Sequence, residues 1–166
     1  SAQYRIDRFV SFLNPWKYAD KEGYQLVHSL YAIGSGGLFG VGLGNSKQKA
    51  LYMPEPHNDF IFAIIGEELG LIGCIAVIAI FVVLIVAGIN VAMRAKDKYG
   101  RLLATGIISV IAVQVVINIA VVTGSMPVTG VPLPFISYGG TSLVFNLAAM
   151  GVLLNISRQC KSPKDE

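Results

Sequence analysis

The chain has 166 residues, of which 54% are hydrophobic and 14% charged, with a formal net charge of +3. A soluble domain carries about 25% charged residues, so an ordinary soluble fold is excluded. The small net charge gives no footing for a nucleic-acid partner, and lipid is the expected surroundings of much of the surface.

The chain opens in polar sequence, SAQYRIDRF, without Met and without a secretory leader. It is expected to be a piece of a longer membrane protein that follows an earlier helix. Residues 1–58 are expected to form an external loop region. Within it NPWKYADKEGY reads as turn and loop, punctuated by Pro15 and Gly23. Tyr24 to Gly34 places Leu26, Val27, Leu30, Tyr31 and Ile33 at helical spacing. That predicts an amphipathic helix on or in the outer leaflet. The glycine-rich stretch GSGGLFGVGLGNSKQK, residues 34–49, matches no phosphate-loop fingerprint. Two readings stand: a flexible loop with close backbone packing, or bare N–H groups that meet an anion with Lys47 and Lys49.

Pro54 and Pro56 break the chain, and Asn58 or Asp59 is placed to cap a helix through FIFAIIGEELG. Residues 59–158 are expected to hold this half helix and three transmembrane helices, with a tail at 159–166. Gly66, Gly70 and Gly73 form a small-residue stripe suited to close helix packing. Glu67 and Glu68 follow Asp59 by about two turns. At 100° per residue Glu67 is turned ~80° from Asp59 and Glu68 lies opposite it, so no carboxylate dyad forms. Both glutamates are expected to pair with groups beyond this chain.

Leu71 to Met93 carries no charge and one amide, Asn90, and roughly 20 such residues cross a bilayer core. Leu102 to Val122 is a second span, with Gln114 and Asn118 on one face at i and i+4. Tyr138 to Ile156 is a third, shorter one. The predicted fold class is therefore an all-α polytopic membrane protein. The basic residues Arg94, Lys96, Lys98 and Arg101 lie between spans one and two, and Arg158, Lys161 and Lys164 follow span three. The positive-inside rule makes residues 94–101 and 158–166 cytoplasmic, and places 1–66 and 123–137 outside. Cys74 falls inside a span and Cys160 in the tail, so no external disulfide is expected.

Acids at the edge of a membrane are functional candidates. Asp59 stands at a helix start, with Glu55 and His57 beside it. A plain N-cap worth ~1 kcal/mol would also explain it. The segment from Thr123 to Ser142 holds three prolines and four glycines and cannot be continuous helix. Non-helical backbone at membrane depth is tolerated where it is buried or lines a wet cavity, which singles out Pro134, Ser137, Gly139 and Gly140. The residues themselves reach a cavity open to the outside, rimmed by an acid, two lysines and this loop. They do not say what enters.

Three blocks, GYQLVHSLYAIGSGGLFGVGLGNSKQK, MPEPHNDFIFAIIGEELG and MPVTGVPLPFISYGGTS, resemble the signature blocks of the SEDS family of shape, elongation, division and sporulation proteins. The likeness runs from about Tyr4 to Arg158 and is to the FtsW and SpoVE branch more than to RodA. It implies a ten-helix fold of which this chain supplies the large external loop and the last three helices. It also implies a peptidoglycan glycosyltransferase acting on lipid II, the undecaprenyl-pyrophosphate-linked disaccharide peptide, in division or sporulation beside a class B penicillin-binding protein. The family's essential acid falls on Asp59. The residue before it, commonly Thr, is Asn58 here, and a Lys of proteobacterial division members is Thr129.

That chemistry suits the residues. A sugar 4-hydroxyl must lose a proton as it attacks an anomeric carbon, and one carboxylate serves as base. The pyrophosphate leaving group calls for cations: Lys47, Lys49, or a divalent ion (Mg or Mn) bridging substrate oxygens. Glu55, His57 and Ser137 are the further substrate-binding candidates. A lipid flippase or transporter, and a non-catalytic scaffold for a penicillin-binding protein, are the rival classes.

Overall fold

A computed structural model describes residues 12, 15–18, 23–44 and 59–160. A short 3-10 turn at Pro15–Tyr18 leads to α1, Tyr24–Gly36. Then come α2 at Ile61–Arg94, α3 at Lys98–Val122 and α4 at Gly140–Gln159. Among the described residues three helices, α2 to α4, are long and apolar enough to cross a membrane. α2 packs along α3 and against α1, while α4 lies more loosely against both α2 and α3.

The outward rows of α2 and α3, including Ile75, Val83, Val86, Val113 and Val116, are exposed in this chain. Rows of that kind would be a liability in water and suit a hydrocarbon solvent. The buried core sits at the other side of these helices, where Ala32, Phe62, Cys74, Phe81, Ile111, Val115, Val122 and Leu133 meet. Ser29 is fully buried and ties two helices there. Its hydroxyl lies 2.8 Å from the Leu26 carbonyl of its own helix and 3.1 Å from the carbonyl of Val122 at the end of α3.

Local chemistry moves the predicted boundaries. α3 starts at Lys98 rather than Leu102 because Asp97 caps it, accepting from the Gly100 N–H at 2.9 Å. It ends at Val122, and Gly124 just beyond, with φ of 70°, lets Ser125 and Met126 fold back onto the Ala120 carbonyl at 2.7 and 3.1 Å. The expected N-cap position at Asp59 is corrected. The N-cap position of α2 is Phe60, buried at 3% exposure, and no side chain caps it there; Asp59 precedes it in a turn and Asn58 lies outside the described residues.

The path of α2 changes at Gly70. α2 is not one uninterrupted rod: Gly70 has φ 66° and ψ −164°, so the segment 61–69 is set off from the span that follows. A break frees carbonyls before it and N–H groups after it, and those cannot be left bare at membrane depth. The glycine-rich segment after α1 supplies the partners. Val41 and Gly42 donate to the carbonyls of Glu67 and Glu68 at 2.9 and 3.1 Å, and the N–H groups of Leu71 and Ile72 reach the carbonyls of Gly37 and Leu38 at 2.9 and 3.4 Å. Gly40 donates to Gly36 at 2.8 Å. The N–H groups of Gly40, Val41 and Gly42 are thus committed to carbonyls, while Lys47 and Lys49 of the anion-binding reading lie outside the described residues. The stripe of small residues also divides in function. Gly66 is the contact with α1, where a Cβ on Gly36 would overlap its carbonyl oxygen, whereas Gly70 is the hinge of the break.

Candidate active site

Asp59 sits half-buried between the head of α2 and the loop after α3. Phe60, buried in the core, fixes the backbone on its C-terminal side. The Asp59 carbonyl accepts a hydrogen bond from Nδ2 of Asn118 at 2.8 Å, and the same amide donates to the carbonyl of Val131 at 2.8 Å. The carboxylate lies over the loop backbone: a Cβ on Gly130 would stand 3.4 Å from Asp59 Oδ2. Gly130 has φ 74°, a conformation that glycine adopts without the steric cost a side chain would bring.

The loop is held by its own turn. Ser137 Oγ accepts from the Leu133 N–H at 2.7 Å, and the Ser137 N–H donates to the Leu133 carbonyl at 3.0 Å. Pro134 is fully buried within this turn, and Phe135 takes a positive φ of 66°. A non-glycine residue there is strained, and the two bonds of Ser137 hold it. Ser137, a substrate-binding candidate from the sequence, is thus the lock of the turn that carries the Gly130 segment. Gly139 is the N-cap of α4 and Gly140 its first residue, with open space where a Cβ would stand.

Of the sequence candidates, Asp59, Asn118 and the loop are brought together. Asn118 is buried at 1% exposure. Gln114, one turn earlier in α3, is half-buried, and its Oε1 is buried without a hydrogen-bond partner among the described residues. Glu67 is buried at 2% exposure. Glu68 Oε1 is buried and has no hydrogen-bond partner among the described residues. Lys47, Lys49, Glu55 and His57 lie outside the described residues. Gly130 and Val131 were not singled out by the sequence; a glycine before a valine and a proline was the available signal. A cavity of about 470 Å³ between α2 and α3, bordered by Ile85, Met93, Arg101 and Ser109, lies toward the Arg94 end of α2. Among the described residues no three of His, Cys, Asp and Glu converge as metal ligands.

The sequence pattern of the cell cycle protein family that includes FtsW, RodA and SpoVE matches residues 1–162. The chain belongs to this family. It is 59% identical over 158 residues to the stage V sporulation protein E of Bacillus subtilis, covering 95% of this chain and 43% of that protein. The probable peptidoglycan glycosyltransferase FtsW of the same organism is 52% identical over 153 residues, covering 92% of this chain and 38% of the relative. The like-named protein of Geobacter metallireducens is 47% identical over 161 residues, covering 97% and 43%. The chain therefore spans less than half the length of these relatives.

Solved structures agree. A chain from a peptidoglycan synthase complex, described for its structural coordination of polymerization and crosslinking, superposes with a TM-score of 0.76 at 30% identity, over 96% of this chain and 43% of that one. An aspartate-to-alanine mutant of the rod shape determining protein RodA of Thermus thermophilus superposes with a TM-score of 0.62 at 33% identity, over 81% and 40%. The three apolar helices and the family together make this a multi-pass membrane chain of the SEDS fold.

Proposed function

We propose that this chain carries the general base of a peptidoglycan glycosyltransferase that polymerises lipid II at the outer face of the bacterial membrane, and that the base is Asp59. The supporting observation is the seat of that carboxylate. It is half-buried, set on a backbone pinned by Phe60 and Asn118, and laid against the side-chain-free backbone of Gly130. A base held in this way meets the requirement that catalytic groups be positioned before the substrate arrives. The chain's likeness to proteins named as peptidoglycan glycosyltransferases supports the same reading.

In the reaction the acceptor sugar's 4-hydroxyl gives its proton to an Asp59 oxygen. The hydroxyl oxygen forms the new bond to the anomeric carbon of the lipid-linked donor. The bond from that carbon to the pyrophosphate breaks, and its electron pair leaves with the lipid pyrophosphate. Mg or Mn bridging the substrate pyrophosphate is a separate proposal. The basic residues Arg94, Lys96, Lys98 and Arg101 put the α2–α3 turn in the cytoplasm and so set Asp59 outside. The proposed partners are lipid II, the surrounding lipid and a class B penicillin-binding protein. The likeness to a chain of a peptidoglycan synthase complex supports the last of these.

One observation favours a second reading. Broken helices are a mark of transporters, and α2 is broken at Gly70. Fluorescent lipid II given to the full-length protein with its partner, in vesicles, separates the readings as glycan chains, flipped lipid, or neither. Asp59→Asn keeps the size of the side chain. Its loss of glycan synthesis should be 10²–10⁴-fold, roughly 3–5 kcal/mol. Near-normal polymerisation by Asp59→Asn at matched protein level would remove Asp59 from the mechanism.

A further inference from the structure

Asn118 is a polar residue in the apolar face of α3, buried at 1% exposure among Val115, Val121 and Val122. An amide at that depth is costly unless it is bonded. Its two N–H groups go to two backbone carbonyls that belong to different segments: Asp59, ahead of α2, and Val131, in the loop after α3. Two carbonyl acceptors also fix which end of the amide is nitrogen. Neither segment is helical at these positions, so neither carbonyl has a helix ladder of its own to satisfy it. The same two segments are the ones that face each other across the Asp59 carboxylate, at Gly130. The third polar atom, Oδ1, is buried without a partner among the described residues, so the donated bonds alone orient the amide.

We infer that Asn118 is the positioning residue for Asp59: its amide clamps the base's backbone to the Gly130 loop and so sets where the carboxylate stands. The inference rests on Asp59 being the base. A general base works only within hydrogen-bond reach of the proton it takes, and a misplacement of about 1 Å can cost 10²-fold. The clamp holds the two sides of the carboxylate's seat at a fixed spacing through two short bonds from one rigid group.

The test uses the full-length protein with its partner and lipid II, across a pH series. Asn118→Leu has a similar size and no donor; Asn118→Ser keeps one donor. For Asn118→Leu, kcat should fall about 10- to 100-fold, with KM changed by less than about threefold. The acidic limb of its pH–rate profile should move, because the carboxylate leaves its seat. Asn118→Ser should fall between Leu and the parent. A merely structural asparagine would instead lower the rate in proportion to folded protein, with an unmoved pH profile, and that outcome overturns the inference. If Asn118→Leu fails to fold, Asn118→Ser is decisive: a moved profile at an unchanged thermal midpoint supports the clamp, and an unmoved profile refutes it. Normal kcat and pH profile in Asn118→Leu, with Asp59→Asn inactive, defeat the clamp and leave the base standing. An active Asp59→Asn defeats the base itself.

Discussion

Gly70 and Gly40 touch backbone to backbone: a Cβ on Gly70 would overlap the nitrogen of Gly40, and would stand 2.6 Å from the carbonyl oxygen of Leu38. Both residues have positive φ, 66° and 77°. Each glycine is thus required twice over, for its torsion and for its missing side chain. Gly70→Ala should cost about 3 kcal/mol or more, since the torsion contributes roughly 1–3 and the overlap a similar amount. Gly106→Ala, where nothing lies within 4 Å, should cost nothing. Thermal midpoints of the purified full-length variants check the pair.

Ser137→Ala removes the acceptor of the Leu133 N–H, a donor in a residue only 1% exposed. A loss of about 1–3 kcal/mol is expected, and Ser137→Thr should recover it by restoring the hydroxyl. Denaturation of the two variants side by side is the measurement; equal stability of both would show that the turn does not depend on this bond.

Gly88 sets how closely α2 and α3 approach, since a Cβ there would stand 2.5 Å from Ile108 Cδ1 and 2.7 Å from its Cγ1. Gly88→Ala should destabilise by about 1–3 kcal/mol. Combined with Ile108→Ala, which clears those atoms, the double variant should be more stable than the sum of the singles by about 1 kcal/mol or more. Strict additivity would mean that the helices separate freely.

Sidedness is checked by single cysteines in a background lacking Cys74 and Cys160. Leu43, 75% exposed in the glycine segment, should react as Leu43→Cys with an impermeant thiol reagent in intact cells. Lys98→Cys, at the start of α3, should react only after the membrane is opened. Labelling of both in intact cells would overturn the orientation.

The spans were legible because a run such as Leu71 to Met93 has no polar face to hide. Asp59 was legible as an acid out of place, and Asn118 as an inward amide. Their relationship was not, because Asn118 binds backbone carbonyls, and a carbonyl has no letter in the sequence. The role of Gly70 was hidden for a related reason. The same residue type serves close packing and positive φ, so Gly66, Gly70 and Gly73 look alike in text although only Gly70 breaks the helix. The partnership between residues 37–42 and the break is a backbone pairing between distant segments, and glycine-rich text alone does not say which carbonyls it will meet. The start of α3 was readable in principle from Asp97, a capping residue just before the apolar run.

The splice at Gly70 gives the membrane span an unusual clock. Amides deep in an apolar helix ordinarily exchange with solvent deuterium only when the helix itself frays or the whole protein opens. Those of Leu71 and Ile72 are held instead by Gly37 and Leu38, more than thirty residues away along the chain. Their exchange is governed by how often that distant segment lifts off, while the amides a few turns further along α2 stay bound to their own helix. Two adjacent stretches of one span would then keep different time, and the slower cannot be sped up by loosening the faster.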